Sequence, residues 1–267
     1  MPAKIVTLTS DFGLKDPYVA EMKAVILTLC PDAIIVDITH EIEKFNVRAG
    51  AFMLSSAAPY FPEGTVHVAV VDPGVGTKRR AIVVQTRHGF FVGPDNGLLI
   101  LAAEKQSITG IHEITNSKLK LANISSTFHG RDVFAPAAAH LLNGVPHSDF
   151  GPEVTNAVKP EFAKITRGEG FLIGEVLFVD GFGNVITNVS RLEMAQLHLG
   201  DWITVELPSG DLKMRFCKTY ADAKSEETIS LIGSHGYVEL AINRGSAAER
   251  FQTKGGDKVK FTFLNHR

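Results

Sequence analysis

Asp11, Asp37 and Asp72 each stand at or near the end of an apolar run of strand type, and the carboxyl ends of strands in an open parallel sheet are where such folds frame a ligand crevice. Asp at a strand end also closes turns and caps helices, so any one of them can be structural. Three in one half of the chain favour a site. The densest local signal is Val71-Asp72-Pro73-Gly74-Val75-Gly76-Thr77-Lys78-Arg79-Arg80, which joins a buried run to a tight turn and two guanidinium groups. Gly74 and Gly76 are one residue apart and no Gly-Lys-Ser/Thr follows, so the spacing of a triphosphate loop is missing. A hairpin turn with solvated basic residues is the competing reading.

His129 lies in a second polar loop, Ser126-Thr127-Phe128-His129-Gly130-Arg131-Asp132. A lone histidine is commonly structural, yet this loop should open at the same sheet edge as Asp72, and imidazole is the side chain suited to moving a proton near neutral pH. No two histidines have zinc-ligand spacing, and His40, three residues after Asp37, lacks evident co-ligands, which disfavours a metal. The third signal is Val179-Asp180-Gly181-Phe182-Gly183-Asn184-Val185-Ile186-Thr187-Asn188. Its glycines permit close backbone approach, Phe182 offers a ring face, and the Asn184 amide can both donate and accept on one base edge. Read alone, the same stretch is a turn with a packing Phe.

The elements that must position these residues follow from periodicity. Ile5 to Thr9, Ala33 to Ile38, Thr65 to Val71 and Ala81 to Thr86 read as strands, the middle two apolar on both faces as for strands covered on both sides. Between the first two, Asp16 as N-cap, Pro17 at the first helical position and Val19, Met22, Ile26 and Leu29 at spacings of three and four predict a helix with one buried stripe. A second helix is expected from near Asn46 to before Pro62, and a third from about Arg131 to Leu142 with Asn143-Gly144 as its stop. The alternation predicts an α/β fold, a mainly parallel sheet with helices on both faces, over residues 1–152. A polar stretch at 153–168 reads as a linker. Residues 169–267 then carry short strands separated by Gly-rich turns: Phe171 to Val179, Trp202 to Leu207, Leu212 to Phe216, Thr228 to Ile232, Tyr237 to Ile242 and Lys258 to Phe263. That pattern predicts a small antiparallel β-barrel or sandwich with little helix.

The 267 residues, 45% hydrophobic and 21% charged, can bury a core that offsets the entropy of ordering the chain. A formal net charge of −2 and a pI near 6.6 offer no attraction to a polyanion, which excludes nucleic acid as the main partner. Cys30 and Cys217 match no metal or redox spacing and suit a reducing compartment. The start Met1-Pro2-Ala3-Lys4-Ile5 has no signal-peptide character, and no apolar run reaches the length of a membrane span. The expectation is a cytoplasmic chain without membrane partners.

In this order, Thr9-Ser10-Asp11-Phe12-Gly13, Val36-Asp37-Ile38-Thr39-His40, Val71-Asp72-Pro73-Gly74-Val75-Gly76, Phe128-His129-Gly130-Arg131-Asp132, Asp180 to Asn188 and Ser234 to Asn243 resemble the S-adenosylmethionine hydroxide adenosyltransferases. Members hydrolyse S-adenosylmethionine to adenosine and methionine, and they are relatives of the fluorinase and chlorinase. The similarity covers nearly the whole chain. It implies an N-terminal α/β domain and a C-terminal β-barrel, in agreement with the pattern above. It further implies that Asp72, Arg79 and His129 activate water, that Asp11 accepts the ribose hydroxyls, and that Asn184 reads the adenine edge in a pocket lined by Phe182. Asp180 matches the partner of the methionine ammonium, Ser234 a methionine carboxylate ligand, and Phe45 stands where a halogenase Trp supplies an aromatic wall. Homotrimers with sites shared between subunits are implied, with no cofactor beyond the substrate.

Two departures from the halogenase pattern matter. Asp72-Pro73-Gly74-Val75-Gly76 replaces a Tyr-Pro-Ala-Thr-Gly stretch, and a carboxylate repels halide. His235 replaces the Arg that follows the Ser of the methionine site. A non-catalytic adenosine or S-adenosylmethionine sensor would keep Asp11 and Asn184 without needing Asp72, Arg79 and His129 together, so the presence of all three favours an enzyme.

Overall fold

The computed structural model describes residues 3–263. Met1 and Pro2 of the N-terminal start, and residues 264–267 of the expected second domain, lie outside the described residues. The chain divides into two compact units, Met1–Pro160 and Glu161–Arg267. The polar stretch 153–168 is distributed between them. Residues 153–160 are bonded to the first unit, through Val154 N to Ile111 O at 2.8 Å and Arg80 Nη1 to Asn156 Oδ1 at 2.7 Å, whereas Thr166–Gly168 forms a short strand of the second.

In the first unit, β1 (Ile5–Ser10), α1 (Tyr18–Leu29), β2 (Ile34–Thr39), α2 (Val47–Ala57), β3 (Thr65–Val70), β4 (Ala81–Thr86), β5 (Gly89–Pro94), α3 (Ile100–Lys105), β6 (Ile108–Glu113) and α4 (Ala135–Leu142) follow one another. The sheet order is β2-β1-β3-β5-β4-β6, parallel from β2 to β5, with β4 antiparallel to both of its neighbours. Strand alternation sends Val6 and Leu8 of β1, with Val66, Val68 and Val70 of β3, into one core with Met22 and Ile26 of α1 and Ala137 and Leu141 of α4. Helix α2 covers the opposite face. A Cβ on Gly50 would come within 2.8 Å of a Leu98 methyl and 3.0 Å of a Val71 methyl, so a larger residue there requires these side chains to shift.

Three local expectations are corrected. Strand β3 is buried on both faces, but β2 is the sheet edge and half-exposed, with Ile34 52% exposed; an apolar run alone does not distinguish a central strand from an edge. Asp16 does not cap α1, whose N-cap position is Pro17 with no side-chain bond. The third helix starts as a π-turn over Gly130–Phe134 before becoming α4, whereas Asn46 caps α2 as expected by accepting from Ala49 N at 3.0 Å. β5, α3 and β6 were not anticipated.

In the second unit, β7 (Thr166–Gly168), β8 (Phe171–Val179), β9 (Val185–Ser190), β10 (Trp202–Leu207), β11 (Gly210–Phe216), β12 (Thr228–Ile232), β13 (Tyr237–Ile242), the short α5 (Ala247–Phe251) and β14 (Lys258–Phe263) build one sheet. Its order is β14-β10-β11-β12-β13-β9-β8-β7, and the β14–β8 pairing closes it into a seven-stranded barrel with β7 as an appendage. Closure leaves Val205, Met214, Val238, Leu240 and Phe261 inside at 0% exposure. All pairs are antiparallel except β11 with β12.

Candidate active site

Strand β1 has β2 on one side and β3 on the other, so the chain reverses its direction of travel across the sheet between β1 and β3. In open α/β sheets the crevice outside the carboxyl ends at such a switch point is the ligand site. Asp11 follows β1 directly and Asp72 follows β3 by one residue. Both line a cavity of about 230 Å³ whose walls include Phe12, Asp16, Tyr18, Lys44, Phe45, Val75, Thr127, Phe128 and His129. Asp37, expected to join them, is absent from this lining. It sits on the edge strand and bonds Lys23 Nζ at 2.6 Å instead.

Arg79 is not itself part of the lining but bridges two residues that are: its Nε reaches both Asp72 oxygens, at 2.9 and 3.0 Å, and Nη2 also donates to Asp72 Oδ2. The same Nη2 lies 2.9 Å from His129 Nδ1. Arg79 is held from behind by the Phe134 ring, 5.3 Å from its guanidinium carbon. Neighbouring Arg80 turns away to the buried Asp95 carboxylate, with Nε to Oδ2 at 2.8 Å. One guanidinium of the loop therefore serves the site and the other serves the fold. Guanidinium can only donate, so His129 Nδ1 must accept, and the neutral ring carries its proton on Nε2. Burial, followed by the Arg79 charge, pushes the His129 pKa below its ordinary value, which keeps that neutral form at neutral pH.

Backbone geometry brings the two loops together. Gly76 has φ +76°, and a Cβ there would lie 2.3 Å from Ser126 O. On the other side His129 occupies the N-cap of the π-turn, a local overwinding that recurs at functional sites. Asp132, fully buried, anchors the loop by accepting Ser125 N at 2.7 Å.

At the rim, Asp11 Oδ2 accepts Phe45 N at 2.9 Å, and Lys44 Nζ donates to Asp11 O. Phe45 has φ +65° and is 69% exposed. A bulky residue held left-handed with its ring in solvent is strained, and its place at a cavity mouth gives the strain a use. Phe12, Tyr18 and Phe128 form a mutual edge-to-face cluster with centroids 5.1 to 5.9 Å apart, an apolar wall that sequence reasoning did not single out. Phe12 and Phe128 lie within the Thr9–Gly13 and Phe128–Asp132 motifs, so the signal existed; Lys44 and Tyr18 carried none.

The remaining candidates belong to the second unit. Asp180 Oδ1 accepts Phe182 N and Asn184 N, both at 2.9 Å, and Oδ2 accepts Asn184 Nδ2 at 2.9 Å. Asp180 thus organises its own turn, using one of the two Asn184 amide N–H donors, with Phe182 84% exposed. Gly183 at φ +83°, with Ser246 Oγ 2.2 Å from where a Cβ would be, admits no side chain. Ser234 is exposed in the turn between β12 and β13. Next to it, His235 Nε2 lies 3.7 Å from Glu239 Oε2. Glu239, 3% exposed, accepts the Tyr220 hydroxyl, and burial, with the Asp180 charge adding to it, raises its pKa. Among the described residues no group of three or more His, Cys, Asp or Glu side chains is arranged to hold a metal.

A doubly wound α/β unit with an acid, guanidinium and imidazole in contact at its switch point, followed by a seven-stranded barrel, defines a two-unit class of protein. Residues 6–151 match the SAM hydroxide adenosyltransferase N-terminal domain and residues 174–260 the SAM hydroxide adenosyltransferase C-terminal domain. The chain belongs to the SAM hydroxide adenosyltransferase family. It is 41% identical to a protein of Thermus thermophilus named (R)-S-adenosyl-L-methionine hydrolase, over 96% of this chain and 98% of that one. It is 29% identical to a fluorinase of an Actinoplanes species, over 98% and 99%. The crystal structure of an uncharacterized conserved protein from Thermotoga maritima superposes with a TM-score of 0.89 at 40% identity, covering 97% of this chain and 99% of that one.

Proposed function

We propose that the protein hydrolyses S-adenosylmethionine to adenosine and methionine, without a metal or other cofactor. The observation that carries this reading is that Asp72 and His129, bridged by Arg79, line one cavity with Asp11 and Phe45. Hydrolase-named relatives at higher identity than the fluorinase support the choice of water over halide, as does the Asp72 carboxylate in that cavity.

In this reading the oxygen of water forms a bond to C5′ of the ribose as the C5′–sulfur bond breaks. The electron pair goes to sulfur, which departs as a neutral thioether and needs no general acid. One proton leaves the water. His129 presents an N–H while its Nδ1 accepts from Arg79, which supports a reading in which it orients the water by donation and Asp72 takes the proton. Arg79 balances the charge that develops on oxygen. Holding water, C5′ and sulfur in line supplies the orientational part of the rate. Asp11 takes the ribose hydroxyls, Asn184 and Phe182 the adenine, and Asp180 and Ser234 the methionine ends. The working form is a cytoplasmic homotrimer with sites shared between subunits.

Incubation with S-adenosylmethionine in heavy-oxygen water, with and without exhaustive chelation, tests the reaction. Equimolar adenosine and methionine, label in the 5′-hydroxyl and indifference to the chelator are expected. Unlabelled adenosine excludes attack by solvent, and chloride-dependent 5′-chloro-5′-deoxyadenosine makes the protein a halogenase.

A further inference from the structure

The motif Val36-Asp37-Ile38-Thr39-His40 supplies nothing to the cavity lining, yet its two titratable residues meet. Strict alternation sends residues three apart to opposite faces of a strand. Here the pairing of β1 with β2 shifts register between Leu8, opposite Asp37, and Thr9, opposite Thr39, and such a bulge re-aims side chains. His40 Nε2 consequently lies 3.1 Å from Asp37 Oδ1, an electrostatic contact without hydrogen-bond alignment, and Nδ1 lies 2.7 Å from Ser10 Oγ. Ser10 Oγ in turn accepts Phe12 N at 3.3 Å, while Gly13 N donates to His40 O at 2.7 Å. Both ends of the Ser10–Gly13 loop are thus tied to His40, and Asp11 is inside the tie.

The three side chains have the composition of a nucleophilic triad without its function. Ser10 is fully buried and His40 is 4% exposed, neither lines the cavity, and no substrate can reach the hydroxyl. The carboxylate beside Nε2 favours the proton there, which leaves Nδ1 to accept from the Ser10 hydroxyl and frees the Ser10 lone pairs for Phe12 N. Burial acts to raise the Asp37 carboxyl, but Lys23, which bonds it, followed by His40, outweighs this and keeps it below the usual range. The charge of Asp37 thereby gives one direction to the two hydrogen bonds that follow, His40 with Ser10 and Ser10 with Phe12 N, and these end one residue from Asp11.

We propose that Asp37, His40 and Ser10 form a positioning relay that keeps Asp11 aimed at the ribose hydroxyls; this deepens the reading given above and rests on it. The relay residues touch no substrate. Their effect is on the geometry of Asp11, so it is felt by ligands with ribose hydroxyls and not by ligands without them.

Calorimetric titration of adenosine and of 2′,3′-dideoxyadenosine into the full-length wild-type protein, Ser10→Ala, Asp37→Asn, His40→Asn and Asp11→Asn tests it, with thermal melting to check folding. The relay variants should raise the adenosine Kd by about 10-fold, the scale of one charge-assisted hydrogen bond, and that of the dideoxy compound by less than about 2-fold. Adding Ser10→Ala to Asp11→Asn should cause no further loss. Equal weakening of both ligands makes the three residues merely structural and overturns the proposal. Unchanged adenosine affinity in Ser10→Ala and Asp37→Asn, with Asp11→Asn weakened, overturns the relay alone. Unchanged discrimination between the ligands in Asp11→Asn overturns the ribose role of Asp11 and the relay with it. If His40→Asn does not fold, Ser10→Ala and Asp37→Asn decide, since the first removes a single atom and the second alters a side chain 37% exposed.

Discussion

The Nδ1 atom of His129 is the point at which local chemistry constrains the reaction. It accepts from Arg79 only while the ring is neutral; protonation would set two cations 2.9 Å apart. Burial first and Arg79 second lower the His129 pKa, so the active neutral form persists below pH 6.5, where an ordinary imidazole is half protonated. The acid limb of kcat/KM is therefore expected below pH 6.5, and Arg79→Gln should move it upward by removing the second cause while burial remains. A limb unmoved in that variant would disconnect the two residues. His129→Ala should lower kcat by about 10²-fold or more, the scale for one preorganised donor, with KM changed much less; stopped-flow single turnovers separate the two. Asp11, Asp72 and His129 were legible in the sequence because each stands in a polar punctuation of an apolar pattern. Arg79 was assigned to Asp72 and His129 only through the family resemblance; the residues alone did not separate it from Arg80, since adjacent residues differ only in side, and the pairing of Ala81 with Pro94 that begins β4 fixes that side.

Elements position these groups by close approach. Because Gly76 has left-handed backbone and Ser126 O fills the place of a Cβ, Gly76→Ala should separate the Asp72–Arg79 loop from the His129 loop. The expected result is a stability loss of about 1–3 kcal/mol together with a fall in kcat, read by urea denaturation and single turnovers. An intact rate would show that the loops tolerate the separation. At the centre of the sheet, His67 of β3 shares a 2.8 Å hydrogen bond with Thr7 of β1 and stacks on Phe91 of β5. Burial pushes its pKa down to about 4. An unfolded imidazole takes up its proton near pH 6.5, so between there and about pH 4 only the unfolded chain binds it, and stability falls as pH falls. Above pH 7 this group contributes no pH dependence. Relative to wild type, His67→Gln should lose about 2 kcal/mol less stability between pH 7.5 and pH 5; identical slopes would show that the buried ring protonates at no cost. Most strands were legible from their apolar runs, but β5, β6, β7 and β9, the exposure of β2, the bulge after Asp37 and the π-turn after His129 were not; exposure, bulge and π-turn each depend on what the neighbouring element leaves room for.

For the whole molecule, light scattering of active protein should give three times the 28.9 kDa chain mass, and a monomer mass for active protein would refute the trimer. Cys30 and Cys217 are free and buried, and no helix among the described residues is long and apolar enough to cross a membrane. The order of motifs, the change from helix-rich to strand-rich text and the alternation of apolar residues are properties of the chain read in one dimension. Periodicity and turn chemistry, which are local, determined the two-part architecture and the first residues worth suspecting, while the family came from the resemblance of the ordered motifs. The tertiary structure decided which suspected residues share a site. Asp11, Asp72 and His129 are separated by tens of residues and meet only because the β1–β3 switch point brings their loops to one edge. Asp37, equally promising by position, was carried away to a sheet edge. Closure of the barrel through β14 and β8 was likewise decided there, since pairing between distant strands is a property of packing and not of either strand's sequence.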